Sequence, residues 1–120
     1  MTSSRLRAPG SFMLALVLLA LLAPACGSEG PKERRFTIQL EGGQPVGGTA
    51  TFQVKQNDTV TFAISSDAQA EVHLHGYDLE QEVAPGETAT LSFAANATGR
   101  FLIEVEDTEA QVGYLEVLPR

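Results

Sequence analysis

Sulfur is nearly missing from this sequence. Its one cysteine, Cys26, and its two methionines, Met1 and Met13, all fall within the first 26 of 120 residues. No disulfide can form within the chain, and no thiolate or thioether is available to residues beyond Cys26. Basic charge is also scarce: eight Lys and Arg stand against 15 Asp and Glu, a formal net charge of −7. Such a balance excludes a basic patch, and with it nucleic acid as a direct ligand. The one long apolar run, Phe12 to Leu22, has eleven residues, about half of the ~20 that a membrane-spanning helix needs. Signatures of catalysis are missing as well. There is no Gly-x-Ser-x-Gly elbow, no phosphate-binding glycine loop and no cysteine nucleophile in the body of the chain, and the carboxylates are scattered over polar strand faces. The expectation is a protein that is not an enzyme.

What is present begins with an export signal in three parts. Arg5 and Arg7 form a basic start, Phe12 to Leu22 an apolar stretch, and Ala23 and Ala25 a pair of small residues before Cys26. Pro24, Gly27, Gly30 and Pro31 then stop any helix. The segment Leu22-Ala23-Pro24-Ala25-Cys26-Gly27-Ser28 resembles the lipobox of bacterial lipoproteins. That resemblance implies a signal peptide over 1–25, a diacylglycerol thioether at Cys26, and a membrane-anchored protein on the periplasmic or extracytoplasmic side. Ala23-Pro24-Ala25 equally satisfies ordinary small-x-small cleavage, so both readings stand. Residues 26–35, rich in Gly and charge, read as a flexible spacer. Without Arg5 and Arg7, six basic side chains remain against 15 acidic ones.

From Phe36 onward apolar residues recur at every second position, the period of strands with one buried face. The runs are Phe36-Ile38-Leu40, Phe52-Val54, Val60-Phe62-Ile64, Val72-Leu74, Leu91-Phe93, Phe101-Ile103-Val105 and Leu115-Val117. Turn signals separate them at Gly42-Gly43, Gly47-Gly48, Asn57-Asp58, Ala84-Pro85-Gly86 and Ala97-Thr98-Gly99. About seven short strands at this spacing predict a single all-β Greek-key sandwich over 36–120, without an interior helix.

The order of several pieces resembles the cupredoxin-like fold of blue copper proteins and their metal-free relatives. They are Asn57-Asp58 turning into Val60-x-Phe62, His73 at a strand end, Val83-Ala84-Pro85-Gly86-Glu87, Gly99-Arg100-Phe101-Leu102-Ile103 and Gly113-Tyr114-Leu115-Glu116-Val117. A blue copper centre needs a cysteine thiolate, two histidines and often a weak methionine. The resemblance places the cysteine, second histidine and methionine in the loop before the last strand, here Val105 to Val112, and none of the three is there. A blue copper electron carrier is excluded.

His73 and His75 are the only histidines, and the resemblance puts the first copper histidine near this position. Two residues apart on a strand, both imidazoles leave one face while Val72 and Leu74 take the other. Imidazole pairs suit copper or zinc. Further donors would come from Glu71 on the same face, or from Asp78, Glu80, Glu104 and Glu106 if the fold brings them close. The functional expectation is a lipid-anchored binding module holding copper or zinc through His73 and His75. The alternative is a metal-free interaction or structural domain with an unidentified envelope partner. Tyr77 could contribute to a recognition surface or cap the core. The cluster Glu104, Glu106, Asp107 and Glu109 could attract a cation or form a solvated rim. Asn57-Asp58-Thr59 and Asn96-Ala97-Thr98 match the glycosylation acceptor pattern but read more simply as turns.

Overall fold

The computed structural model describes residues 2–5, 27 and 29–120. The apolar run Phe12 to Leu22 and the lipidation candidate Cys26 lie outside the described residues. Nine strands follow one another: β1 Glu33–Glu41, β2 Gln44–Pro45, β3 Ala50–Lys55, β4 Thr59–Ser66, β5 Ala70–Leu74, β6 Leu79–Val83, β7 Thr88–Ala94, β8 Gly99–Val105 and β9 Ala110–Leu118. A single 3₁₀ turn, Glu106–Thr108, lies between β8 and β9. The count exceeds the seven expected because β2 is too short to show a period. In β6, Gln81 interrupts the apolar alternation of Leu79 and Val83. β1 begins at Glu33, three residues before the alternation does, and Glu33 to Arg35 pair with Thr59 to Thr61 of β4.

Two sheets form the sandwich, one in the order β2-β1-β4-β7 and the other β3-β9-β8-β5-β6. β1 with β4 and β3 with β9 run parallel, and the remaining pairs are antiparallel. Parallel neighbours cannot be joined by a hairpin, so the chain passes repeatedly between the sheets. β4 has the cleanest alternation, burying Val60, Phe62, Ile64 and Ser66 and turning the residues between them outward. Phe62 is central to the packing, with Phe52 at 5.1 Å, Phe36 at 5.7 Å and Phe93 at 6.2 Å between ring centroids. From the facing sheet come Val54, Val72, Leu74, Ile103, Val105, Leu115 and Val117.

A bulge corrects the faces of β9. Ile103 pairs with Gly113 but Glu104 pairs with Gln111, which leaves Val112 as the extra residue. The inward set therefore changes from Ala110 and Val112 to Leu115 and Val117. Gly113 is required there: a Cβ would meet the carbonyl oxygen of Ala50 at 1.9 Å.

Asp58 closes one end of the sandwich, in a turn that the sequence pattern alone gives no reason to bury. Its side chain is 1% exposed. It accepts the backbone N–H of Lys32 at 2.9 Å and of Lys55 at 3.0 Å, the Arg34 Nε–H at 3.4 Å, and a donor from Arg120. One carboxylate thus joins the entry to β1, the turn between β3 and β4, and the segment after β9. Burial opposes its ionisation, but these donors outweigh burial and hold its pKa below the ordinary 3.8.

Asp58→Ala removes the shared acceptor from donors that stay half-buried, and is expected to cost about 3 kcal/mol in urea denaturation. Because the folded pKa is depressed, that contribution is complete above pH 3.8 and is lost as pH falls through the folded value. A difference between wild type and variant that is unchanged at about pH 2 would contradict this assignment.

Candidate metal centre

β5 brings His73 to the outer face of the five-stranded sheet, and His75, the first residue of the turn after it, continues the alternation with its N–H bonded to the Leu102 carbonyl at 2.9 Å. Val72 and Leu74 are each 1% exposed, and burying each contributes about 1.5–3 kcal/mol. Exposed ion pairs contribute only about 0–1 kcal/mol, so the apolar pair decides which way β5 faces. His73 and His75 take the other side, and their rings stack with centroids 4.1 Å apart at 32°.

The neighbouring strand supplies carboxylates by the same rule. β8 buries Ile103 and Val105 and turns Glu104 outward, and the 3₁₀ turn starts with Glu106. In the antiparallel register His73 lies opposite Glu104, and the side chains cross diagonally. His73 Nδ1 meets Glu106 Oε1 at 2.5 Å, while His75 Nε2 meets Glu104 Oε1 at 2.7 Å. Diagonal cross-strand neighbours are within reach of side chains this long. One potential ligand atom from each of His73, His75, Glu104 and Glu106 lies within 4.8 Å of the other three.

The remaining sequence candidates surround this group without joining it. Glu71 shares the outer face but is not among the four converging donors. Glu80, on β6, is the cross-strand partner of His73 on the side away from β8. Asp78, in the turn after β5, places Oδ1 3.6 Å from His73 Nε2. That nitrogen is buried and has no hydrogen-bond partner, an unusual condition for an enclosed polar atom. Tyr77 packs against Phe93 at 5.2 Å and Phe101 at 4.8 Å. Its hydroxyl donates to the Ala97 carbonyl at 2.7 Å and accepts the Ala97 N–H at 3.0 Å.

Electrostatically the face is overloaded with negative charge. Burial pushes the Glu71 carboxyl above its ordinary 4.5, reinforced by repulsion from Glu80, Glu82, Glu106 and Asp107. Burial works against protonation of His73, yet the hydrogen bond and charge of Glu106, with Glu80 and Asp78, raise its pKa above 6.5. Each imidazole therefore faces a carboxylate, and the cluster as a whole favours a cation.

The donor set fits a metal. Ligands held at about 2.0–2.2 Å from a zinc or copper ion lie about 3–4 Å from one another, so donors already within 4.8 Å need only small rotations. Two imidazoles and two carboxylates are also a chemically reasonable set for a divalent transition ion. Glu104 and Glu106 would contribute as much as the histidines do. From sequence they are possible donors on a par with Asp78 and Glu80, and only the alternation Ile103-Glu104-Val105-Glu106, set beside Val72-His73-Leu74-His75, hints that these two meet the histidines.

No known protein-family profile matches the chain. Solved structures do resemble it, and they are copper proteins of cupredoxin fold. A chain of a heme-copper terminal oxidase dimer aligns with a TM-score of 0.58 at 17% identity, covering 70% of this chain and 64% of that one. A multi-copper oxidase from Pseudomonas thermotolerans aligns with 0.64 at 17%, covering 76% and 31%. The copper nitrite reductase from Nitrosomonas europaea aligns with 0.59 at 17%, covering 73% and 42%. This chain thus spans less than two thirds of each. At these identities the likeness establishes the fold: the described domain is cupredoxin-like.

Tyr77→Phe is expected to lower stability by about 1 kcal/mol, because both hydrogen bonds to Ala97 are lost while the ring packing stays. It should leave metal titration unchanged. A variant of wild-type stability by urea denaturation would show that the hydroxyl does not fasten the turn.

Proposed function

We propose that this protein is an exported, lipid-anchored binding module that holds a copper or zinc ion on the outer face of its five-stranded sheet. His73, His75, Glu104 and Glu106 are the ligands, and the role is binding rather than catalysis. The observation that carries this reading is the convergence within 4.8 Å of four donors from β5, the turn that follows it, β8 and the 3₁₀ turn. The buried, unpartnered Nε2 of His73 supports it. So does the repulsion among the surrounding carboxylates, which a cation relieves.

Anchoring rests on the segment ending at Cys26. Lipid at that residue would leave a short tether, with the domain on the periplasmic or extracytoplasmic side of a membrane. The acidic domain would stand off an anionic lipid surface rather than lie on it. Any partner in the envelope would then be approached through the domain.

Calorimetric titration of the purified protein with copper and with zinc, beside a His73→Ala/His75→Ala double variant, tests the metal reading. Wild type should bind one ion and the variant should lose affinity at least about tenfold, since second-shell changes alone already cost 10–100-fold. Because bound imidazoles must be unprotonated, affinity should also rise with pH across the range about 6–8. The variant should remain folded, as both histidines lie on the outer face. Equal, weak heats from both proteins would reduce the two His–Glu contacts to cross-strand ion pairs and favour the metal-free interaction domain. Mass analysis of the native protein tests the anchor: an unmodified Cys26 as N-terminus would contradict it.

A further inference from the structure

We infer that the centre discriminates by oxidation state, binding divalent copper and rejecting monovalent copper. The inference rests on the metal-binding reading above and adds which form of the ion the site accepts.

Donor chemistry gives the first reason. The four converging groups are two imidazoles and two carboxylates, and carboxylate oxygen is a hard ligand suited to higher charge. Monovalent copper is selected by soft thiolate and thioether sulfur. Residues 27–120 contain neither cysteine nor methionine, so no rearrangement within the domain can supply such a donor. Among divalent ions of the first transition row, a nitrogen and oxygen site binds copper most strongly.

Charge gives the second reason, independently of softness. Ionised Glu104 and Glu106 together balance a dication, whereas a monovalent ion leaves the four-ligand group with surplus negative charge. Asp78, 3.6 Å from His73 Nε2, and Glu80, paired across from His73, add to the same field. Among the described residues no Lys or Arg makes an ion pair with any of these carboxylates; Glu104, Glu106 and Asp78 face the histidines alone. The local field therefore stabilises the more highly charged ion and disfavours its one-electron reduction.

The two oxidation states can be titrated separately on the full protein. Divalent copper is competed against nitrilotriacetate in air. Monovalent copper is competed against bicinchoninate, with ascorbate as the electron donor and oxygen excluded. The expected result is a preference of at least about 100-fold for the divalent ion, with copper passing to bicinchoninate on reduction. The divalent complex should give an electron paramagnetic resonance spectrum with nitrogen couplings from two imidazoles. Its visible spectrum should lack an intense thiolate charge-transfer band.

A Glu104→Gln/Glu106→Gln variant keeps both imidazoles and removes both charges, and should narrow the preference by about tenfold or more. Monovalent copper held as tightly as divalent copper by wild type would overturn the inference and leave the metal site standing. An unaltered preference in the glutamine variant would overturn the assignment of selectivity to the carboxylates. If wild type takes up no divalent copper, the inference falls, and the proposed function falls with it only if zinc is not taken up either.

Discussion

The antiparallel pairing of β5 with β8 is the constraint on which the rest of the domain turns. In that register Val72 lies opposite Val105 and Leu74 opposite Ile103, and all four are 1% exposed. Their burial is worth several kcal/mol in total, far more than any contact on the opposite face can contribute. The core thus fixes the strand orientation, and the outer face receives whatever residues fall between. Here those residues are His73, His75, Glu104 and Glu106. The candidate centre is a by-product of core packing in its placement, though not in its composition, since any polar side chains would satisfy an outer face.

Neighbouring features keep that pairing in place. The bulge at Val112 lets β9 follow β8 on both sides of the break while keeping apolar side chains inward, and it falls beside Glu104. Past β5, Gly76 turns the chain where a Cβ would meet the Phe101 ring at 2.4 Å. Tyr77 then fastens the turn to Ala97. Asp58 binds the segments before β1 and after β9. Two of the four donors, His73 and Glu104, stand on paired strands, and His75 and Glu106 each follow directly on the end of one, which favours preformed donor positions.

Much of this was legible in the sequence because burial on one face writes a period of two. β4 shows it at every position, and the seven main strands, the turns and the outward direction of His73 and His75 follow from it. Long-range coincidence leaves no such trace. Asn57-Asp58-Thr59 has the appearance of a solvated turn. Asp58 is buried only because Lys32, Arg34 and Arg120 arrive from 26, 24 and 62 residues away. Glu104 and Glu106 likewise look like the start of an acidic rim until β8 is set beside β5. Glu71 has the right face and spacing, yet it does not converge with the other donors.

Sulfur separates this domain from the blue copper chemistry that its fold brings to mind. The segment between β8 and β9, where that chemistry would need cysteine and methionine, instead carries Glu106, and the histidines lie on the outer sheet face beside carboxylates. A crystal structure of the copper-loaded protein addresses the central claim most directly. The expected result is one ion on the outer face of the five-stranded sheet, about 2.0–2.2 Å from nitrogen atoms of His73 and His75 and oxygen atoms of Glu104 and Glu106. An ion bound elsewhere, or loaded crystals in which the His73–Glu106 and His75–Glu104 contacts persist with no ion between them, would contradict it.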